Sequence, residues 1–80
     1  MSEEEAIQVV ETRRKELDID PAMEIDGAEK AIVEYLPNPD EPGEPEDRLA
    51  WIVSLSCSWG FVEVHVDDAT GEVLTVRRSA

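Results

Sequence analysis

Glu63, His65 and Asp67 alternate with valines along one short stretch, and Ser54 lies a few residues upstream. These are the residue types of a serine hydrolase, with a nucleophile, a base and an orienting carboxylate. The spacing argues against that chemistry. A nucleophilic serine needs its base within about 3 Å, with oxyanion donors aimed at the same point. Neighbours on an open strand supply no cleft, and no Gly-x-Ser-x-Gly elbow is present. Glu63, His65 and Asp67 are also a possible metal set, but a closed structural site takes four ligands and His65 is the sole histidine. Asp40, Glu41, Glu44, Glu46 and Asp47 offer hard oxygen ligands for calcium; they lack EF-hand spacing, and prolines hinder wrapping. Cys57 is the single cysteine, so no intrachain disulfide forms, and its apolar surroundings predict an inert buried thiol. No catalytic residue, cofactor or metal is assigned, and the chain is read as a non-enzyme. What remains is a flat protein-contact surface built from Trp59, Phe61, Glu63, His65 and Arg77. Two readings of Trp59 and Phe61 stand: they anchor a partner, or they close the open end of a small core.

Charge narrows the partners. Twenty acids against seven bases leave a net charge of −13. Nucleic acid and anionic membrane surfaces both demand basic patches, so both are excluded. A basic protein partner is permitted; solubility or adaptation to salt explains the same excess, with Lys15 and Lys30 the only lysines. No apolar run approaches the roughly 20 residues of a membrane span. The acidic Met-Ser-Glu-Glu-Glu start has no apolar signal region. A cytoplasmic location is expected if Met1 is the native start. Eighty residues suffice for one domain with one core. A free strand edge would allow a weak dimer; otherwise the chain is a monomer.

The elements that hold these residues are legible by period. Ser2 and Glu5 form a capping-box pattern, and Ala6, Ile7, Val10 and Leu17 fall on one stripe. A helix is expected over about 3–17, with Arg13, Arg14 and Lys15 in its last turn and Asp18–Pro21 as the connector. Ala28–Leu36 fits a helix or a strand. The strand, with Ala31, Val33 and Tyr35 on one face, is taken here because more strands stabilise a small sheet. Residues 37–48 form an acidic, proline-rich loop, either solvated or a docking loop. From Leu49 the alternation is plain: Trp51, Val53, Leu55 and Cys57 on one face, with Ser54, Ser56 and Ser58 on the other. A Trp59-Gly60 hairpin loop would pair Cys57 with Val62, Leu55 with Val64 and Val53 with Val66. A turn over 68–72, with Gly71 left-handed, would pair Val66 with Leu74 and Val64 with Val76. The opposite face then carries two rows, Ser54–His65–Thr75 and Ser56–Glu63–Arg77, with Glu63 and Arg77 as a cross-strand ion pair. The fold class is α+β: one N-terminal helix on a three- to four-stranded antiparallel meander.

The stretch Val66-Asp67-Asp68-Ala69-Thr70-Gly71-Glu72-Val73-Leu74, after the strand holding Trp51 and Val53, resembles the signature of the PepSY domain family. Asp68 stands where alanine is usual, and Ala69 fills the variable place. The helix with its Glu-Glu-Ala start matches in position. The resemblance implies a helix on an antiparallel sheet and a role without catalysis, as in the propeptides of thermolysin-like peptidases and in secreted or membrane-attached bacterial proteins. It implies inhibition, chaperoning or local regulation of a peptidase by binding a protein partner. Cytoplasmic immunity-type proteins that neutralise a basic toxin share the helix-plus-sheet form and are the competing expectation.

Overall fold

In a computed structural model the chain forms one helix followed by four strands, and residues 1–36, 40 and 43–79 are described. Helix α1 spans Glu3–Thr12, β1 Glu24–Tyr35, β2 Glu46–Cys57, β3 Gly60–Asp67 and β4 Val73–Arg78. The strands form one antiparallel sheet in the order β1-β2-β3-β4. The α+β expectation holds, with the ambiguous Ala28–Leu36 stretch extended and β1 the fourth strand.

The capping box forms as expected. Ser2 Oγ accepts from the Glu5 amide, and Glu5 Oε1 accepts from the Ser2 amide, each at 3.2 Å. The regular helix stops at Thr12, five residues before the expected end. The chain continues in turns and closes with a Schellman-type pattern. The Ile19 amide donates to the Arg14 carbonyl at 2.9 Å and the Asp18 amide to that of Lys15 at 3.3 Å, with Asp18 left-handed at φ 57°. Early termination frees Arg14 from the helix end. Its guanidinium donates to the carbonyls of Met23 (2.8 Å), Asp20 (3.3 Å) and Pro21 (3.4 Å), stapling the connector. That connector is not a spacer, since Ile19 and Met23 are buried in the core.

One face of the sheet carries Val53 and Leu55 from β2 and Val62, Val64 and Val66 from β3, under Ala6 and Val10 of the helix. Ile7 and Leu17 pack at the margin, as do Trp51, Cys57, Val73 and Val76. Cys57 is therefore only partly buried. On β1 an irregularity between Ile25 and Gly27 adds one residue, so that Ile25 opposite Leu55 and Ala28 opposite Val53 both meet the core.

Two registers differ from expectation. The β2–β3 loop is Ser58-Trp59, and Cys57 pairs with Gly60, Leu55 with Val62, Val53 with Val64 and Trp51 with Val66. The slip is two residues, which preserves the faces and changes every partner. Gly60 is not a turn glycine, since its φ is not positive. It lies extended where a Cβ would come within 2.9 Å of Ser79 Oγ. The end of the chain approaches closely there, and the glycine is a strand residue rather than a turn residue. In the second hairpin Gly71 is left-handed as expected, at φ 75°, and Val64 pairs with Val76. Val66, however, pairs with Val73 rather than Leu74, because a bulge follows the His65–Thr75 pair.

The expected loop over 37–48 is shorter at its far end. Glu46–Arg48 belong to β2, pairing with Tyr35, Glu34 and Val33. Pro37, Asn38, Pro39, Glu41 and Pro42 of that loop lie outside the described residues. Beyond Ala50, opposite Asp67, β2 has no ladder partner on β3. The β1–β2 ribbon therefore projects past the four-stranded body by four residue pairs, roughly 13 Å.

Candidate functional site

The face opposite the helix receives Phe61, Glu63, His65 and Asp67 from β3, because the valines between them take the core face. Its rows follow the observed register. Ser54, Glu63 and Arg77 align, as do Ile52, His65 and Thr75, while Ser56 lies opposite Phe61. Ser54 and His65 are therefore not direct neighbours, and the expected Ser54–His65–Thr75 and Ser56–Glu63–Arg77 rows are both broken on β2. Glu63 stands opposite Arg77 without an ion pair; its Oε1 lies 4.0 Å from His65 Nε2, a contact that becomes ionic only when the imidazole is protonated. That Nε2 atom is buried and has no hydrogen-bond partner. Burial holds the His65 pKa below the usual histidine range, with the Glu63 carboxylate opposing and Arg77 adding to the shift. His65 is thus a neutral imidazole at neutral pH. Among the described residues no cluster of three or more His, Cys, Asp or Glu side chains is placed to hold a metal ion.

Trp59 and Phe61 occupy the corner at the β2–β3 turn, 60% and 50% exposed, and neither belongs to the core. Their rings are presented rather than enclosed. The platform beneath them is pinned: the Phe61 amide donates to Ser79 Oγ at 2.7 Å, and the Ser79 amide to the Phe61 carbonyl at 3.0 Å. On β4, Arg78 donates to the carbonyls of Asp18 and Leu17, tying this strand to the helix connector. Of the five expected contact residues, Phe61, Glu63 and His65 share one strand face, Arg77 adjoins Glu63, and Trp59 caps the corner.

Two polar clusters escaped sequence reasoning. Asp67, 2% exposed, accepts from Arg48 Nη1 at Oδ2 and from the Ala69 amide at Oδ1, both at 2.8 Å. The Ala69 amide, with Arg48 and the Thr70 amide, holds the Asp67 carboxyl below the usual carboxylate range against the opposing effect of burial. Arg48 also meets Glu46 Oε2 at 3.2 Å and lies 5.7 Å from the Tyr35 ring centre. Extending the alternation back from Leu49 through Arg48 would have found this partner. The second cluster centres on Asp68, whose Oδ1 accepts from Trp51 Nε1 at 2.9 Å and lies 3.3 Å from the Met1 amine and 3.7 Å from Lys30 Nζ. The Trp51 hydrogen bond, with the amine and Lys30, lowers the Asp68 pKa. Both clusters brace the β3–β4 turn.

The surface depressions are open. One of about 420 Å³ runs between the outer helix face and the turn at Gly71, lined by Met1, Glu5, Gln8, Val9, Thr12 and Arg13. Another of about 280 Å³ lies beside the β1 irregularity, against Ile52 and Ser54. Asp26 and Glu29 share the second with Ser54. Among the described residues no helix is long and apolar enough to cross a membrane.

No curated protein and no solved structure matches the chain. A family model, described as "Peptidase propeptide and YPEB domain", matches residues 1–77. With the helix, the antiparallel sheet and the braced Asp67–Gly71 turn all in place over that span, the chain belongs to the PepSY family.

Proposed function

We propose that this chain is a non-enzymatic binding module that regulates a peptidase, docking through the aromatic corner of its sheet. The observation that carries the reading is the exposure of Trp59 and Phe61 on a backbone pinned by Ser79. Large, rigid aromatic surface held at one corner is the usual material of an interface anchor. Glu63 and Arg77 flank it without an ion pair between them, so both can pair across an interface. Ser54 lies opposite Glu63 and His65 opposite Ile52, a separation that supports the non-enzymatic reading. Membership of the family supports a peptidase as the class of partner.

The test is affinity capture of the tagged protein from extracts and culture medium of its own source, at low and moderate salt, beside the double variant Trp59→Ser/Phe61→Ser. A peptidase is expected with the wild-type protein at both salt levels, because aromatic docking responds little to ionic strength. The double variant is expected to lose it, since removing such an anchor costs roughly 2 kcal/mol or more, about thirtyfold in affinity. Recovery of no peptidase, or equal recovery with the double variant, would reject the reading.

A further inference from the structure

The projecting β1–β2 ribbon carries apolar surface on the face that, further back, is covered by the helix. Along this face the cross-strand pairs run Ala28–Val53, Lys30–Trp51, Ile32–Leu49 and Glu34–Asp47. The first pair is packed in the core, and the second is covered by its own contact, Lys30 Nζ over the Trp51 ring at 5.3 Å. Among the described residues nothing covers the third: Ile32 is 72% exposed and Leu49 43% exposed. The fourth sets two exposed carboxylates directly opposite each other on the same face, and among the described residues neither Glu34 nor Asp47 has a cation within ion-pair distance. The nearest cation on this face, Lys30, is engaged by Asp68 and Trp51. Like charges placed directly across a ladder destabilise it, and a cation supplied from outside removes that cost.

We infer that this ribbon face is a second docking surface, and that its occupant is a segment of another protein in which an apolar side chain is followed closely by lysine or arginine. The apolar side chain covers Ile32 and Leu49, and the cation sits between Glu34 and Asp47. Access is open along β1, the edge strand of the sheet; on the β3 side the Leu49 carbonyl accepts from the Asp68 amide at 3.0 Å, which fixes the Leu49 backbone beneath its exposed side chain. A second copy of this chain is a poor occupant: it would bring another net charge of −13 and another Glu34–Asp47 pair to the same place. An anionic membrane surface is disfavoured for the same reason. This surface lies at the opposite end of the sheet from Trp59 and does not depend on the peptidase reading.

The experiment uses the full chain, isotopically labelled, and a synthetic peptide of alternating leucine and lysine, with an alternating serine–lysine peptide as the charge-only control. Binding is followed by amide shift mapping and by anisotropy of the labelled peptide, with sedimentation of the free protein alongside. The leucine–lysine peptide is expected to shift residues 30–35 and 46–50, and the control to bind at least about tenfold more weakly. Ile32→Ser is expected to weaken binding by a similar factor. Glu34→Gln/Asp47→Asn is expected to weaken it severalfold and to remove most of its salt dependence, while Trp59→Ser leaves it unchanged. These ribbon positions are exposed, and an unchanged amide spectrum elsewhere shows that the variants fold. Shifts centred on the acidic first turn of the helix, equal binding of both peptides, no binding, or self-association lost in Ile32→Ser would each overturn the proposal.

Discussion

Two stretches of the same ladder make an instructive pair. Val53 opposite Ala28 and Leu49 opposite Ile32 lie on one face of the same two strands, with the same alternation and similar residue types. In the body of the sheet the helix lies over that face, and Val53 is fully buried. In the projecting ribbon no element among the described residues lies over it, and Ile32 and Leu49 are exposed. Period two says which face a residue joins; it does not say whether anything covers that face. Coverage depends on where the helix begins: the Met1 amine meets Asp68 at the margin of the body, and the buried helix residues Ala6 and Val10 lie over the four-stranded body. Body and ribbon therefore divide the labour: the body supplies stability, and the ribbon and the aromatic corner supply free surface.

The contrast is sharpest in large-to-small substitutions. Leu55→Ala in the body is expected to cost roughly 2–5 kcal/mol in denaturant unfolding, from lost transfer energy and a residual cavity. Leu49→Ala in the ribbon is expected to stay within about 0.5 kcal/mol, as exposed positions do. Equal losses would mean that the ribbon face is covered after all.

The polar brace at the junction comes next. Asp67→Asn keeps the shape of the side chain and removes its charge from Arg48 and the turn amides, at an expected cost of roughly 1–3 kcal/mol at neutral pH. The Asp67 carboxyl has its folded-state pKa held below the ordinary value of 3.8. Its contribution is thus fully present above that value and is lost as pH falls through the lower, folded-state pKa. Wild type and Asp67→Asn should converge in stability as acid is added below pH 3.8. A constant gap down to full acid unfolding would break the assignment of the brace to the charged carboxylate.

A smaller effect belongs to His65. Its folded-state pKa is lowered from the ordinary 6.5, so the fold prefers the neutral ring. Stability from this group is present above pH 6.5 and declines as pH falls toward the lower folded-state value, because the unfolded chain takes up the proton first. Replacing His65 by Gln is expected to flatten the stability profile just below pH 6.5 and leave the more acidic limb unchanged. Thermal melts across that range read it directly, and an unaltered slope in the variant would place the imidazole in solvent.

Much of this architecture was legible in the chain. The capping box, the alternation from Leu49 to Val66 and the left-handed Gly71 each rest on local chemistry that short-range sequence carries. What failed rests on contacts between distant residues. The β2–β3 register hinged on reading Gly60 as a turn residue, whereas it is a strand residue paired with Cys57 and lies beside Ser79 at the far end of the chain. The helix end was misplaced because Arg14 looked like a dipole partner and is instead a staple for the connector carbonyls. Glu46–Arg48 read as loop because charged residues dominate there; the Arg48 contacts with Asp67 and Tyr35 hold them in the strand. Of the candidate site, the alternation on β3 was visible from the start. The exposure of Trp59 and Phe61, the missing Glu63–Arg77 ion pair and the open ribbon face were not, since each depends on what the rest of the molecule leaves uncovered.

The most direct measurement of the central claim is a titration of the purified domain into the peptidase it captures, following hydrolysis of a peptide substrate, with Trp59→Ser/Phe61→Ser in parallel. The account predicts that the rate changes with a break at one domain per peptidase, and that the domain alone releases no product. It also predicts that the double variant, unchanged in unfolding stability to within about 0.5 kcal/mol, leaves the rate where it was. An unchanged rate with the wild-type domain, or a double variant as effective as wild type, would contradict it.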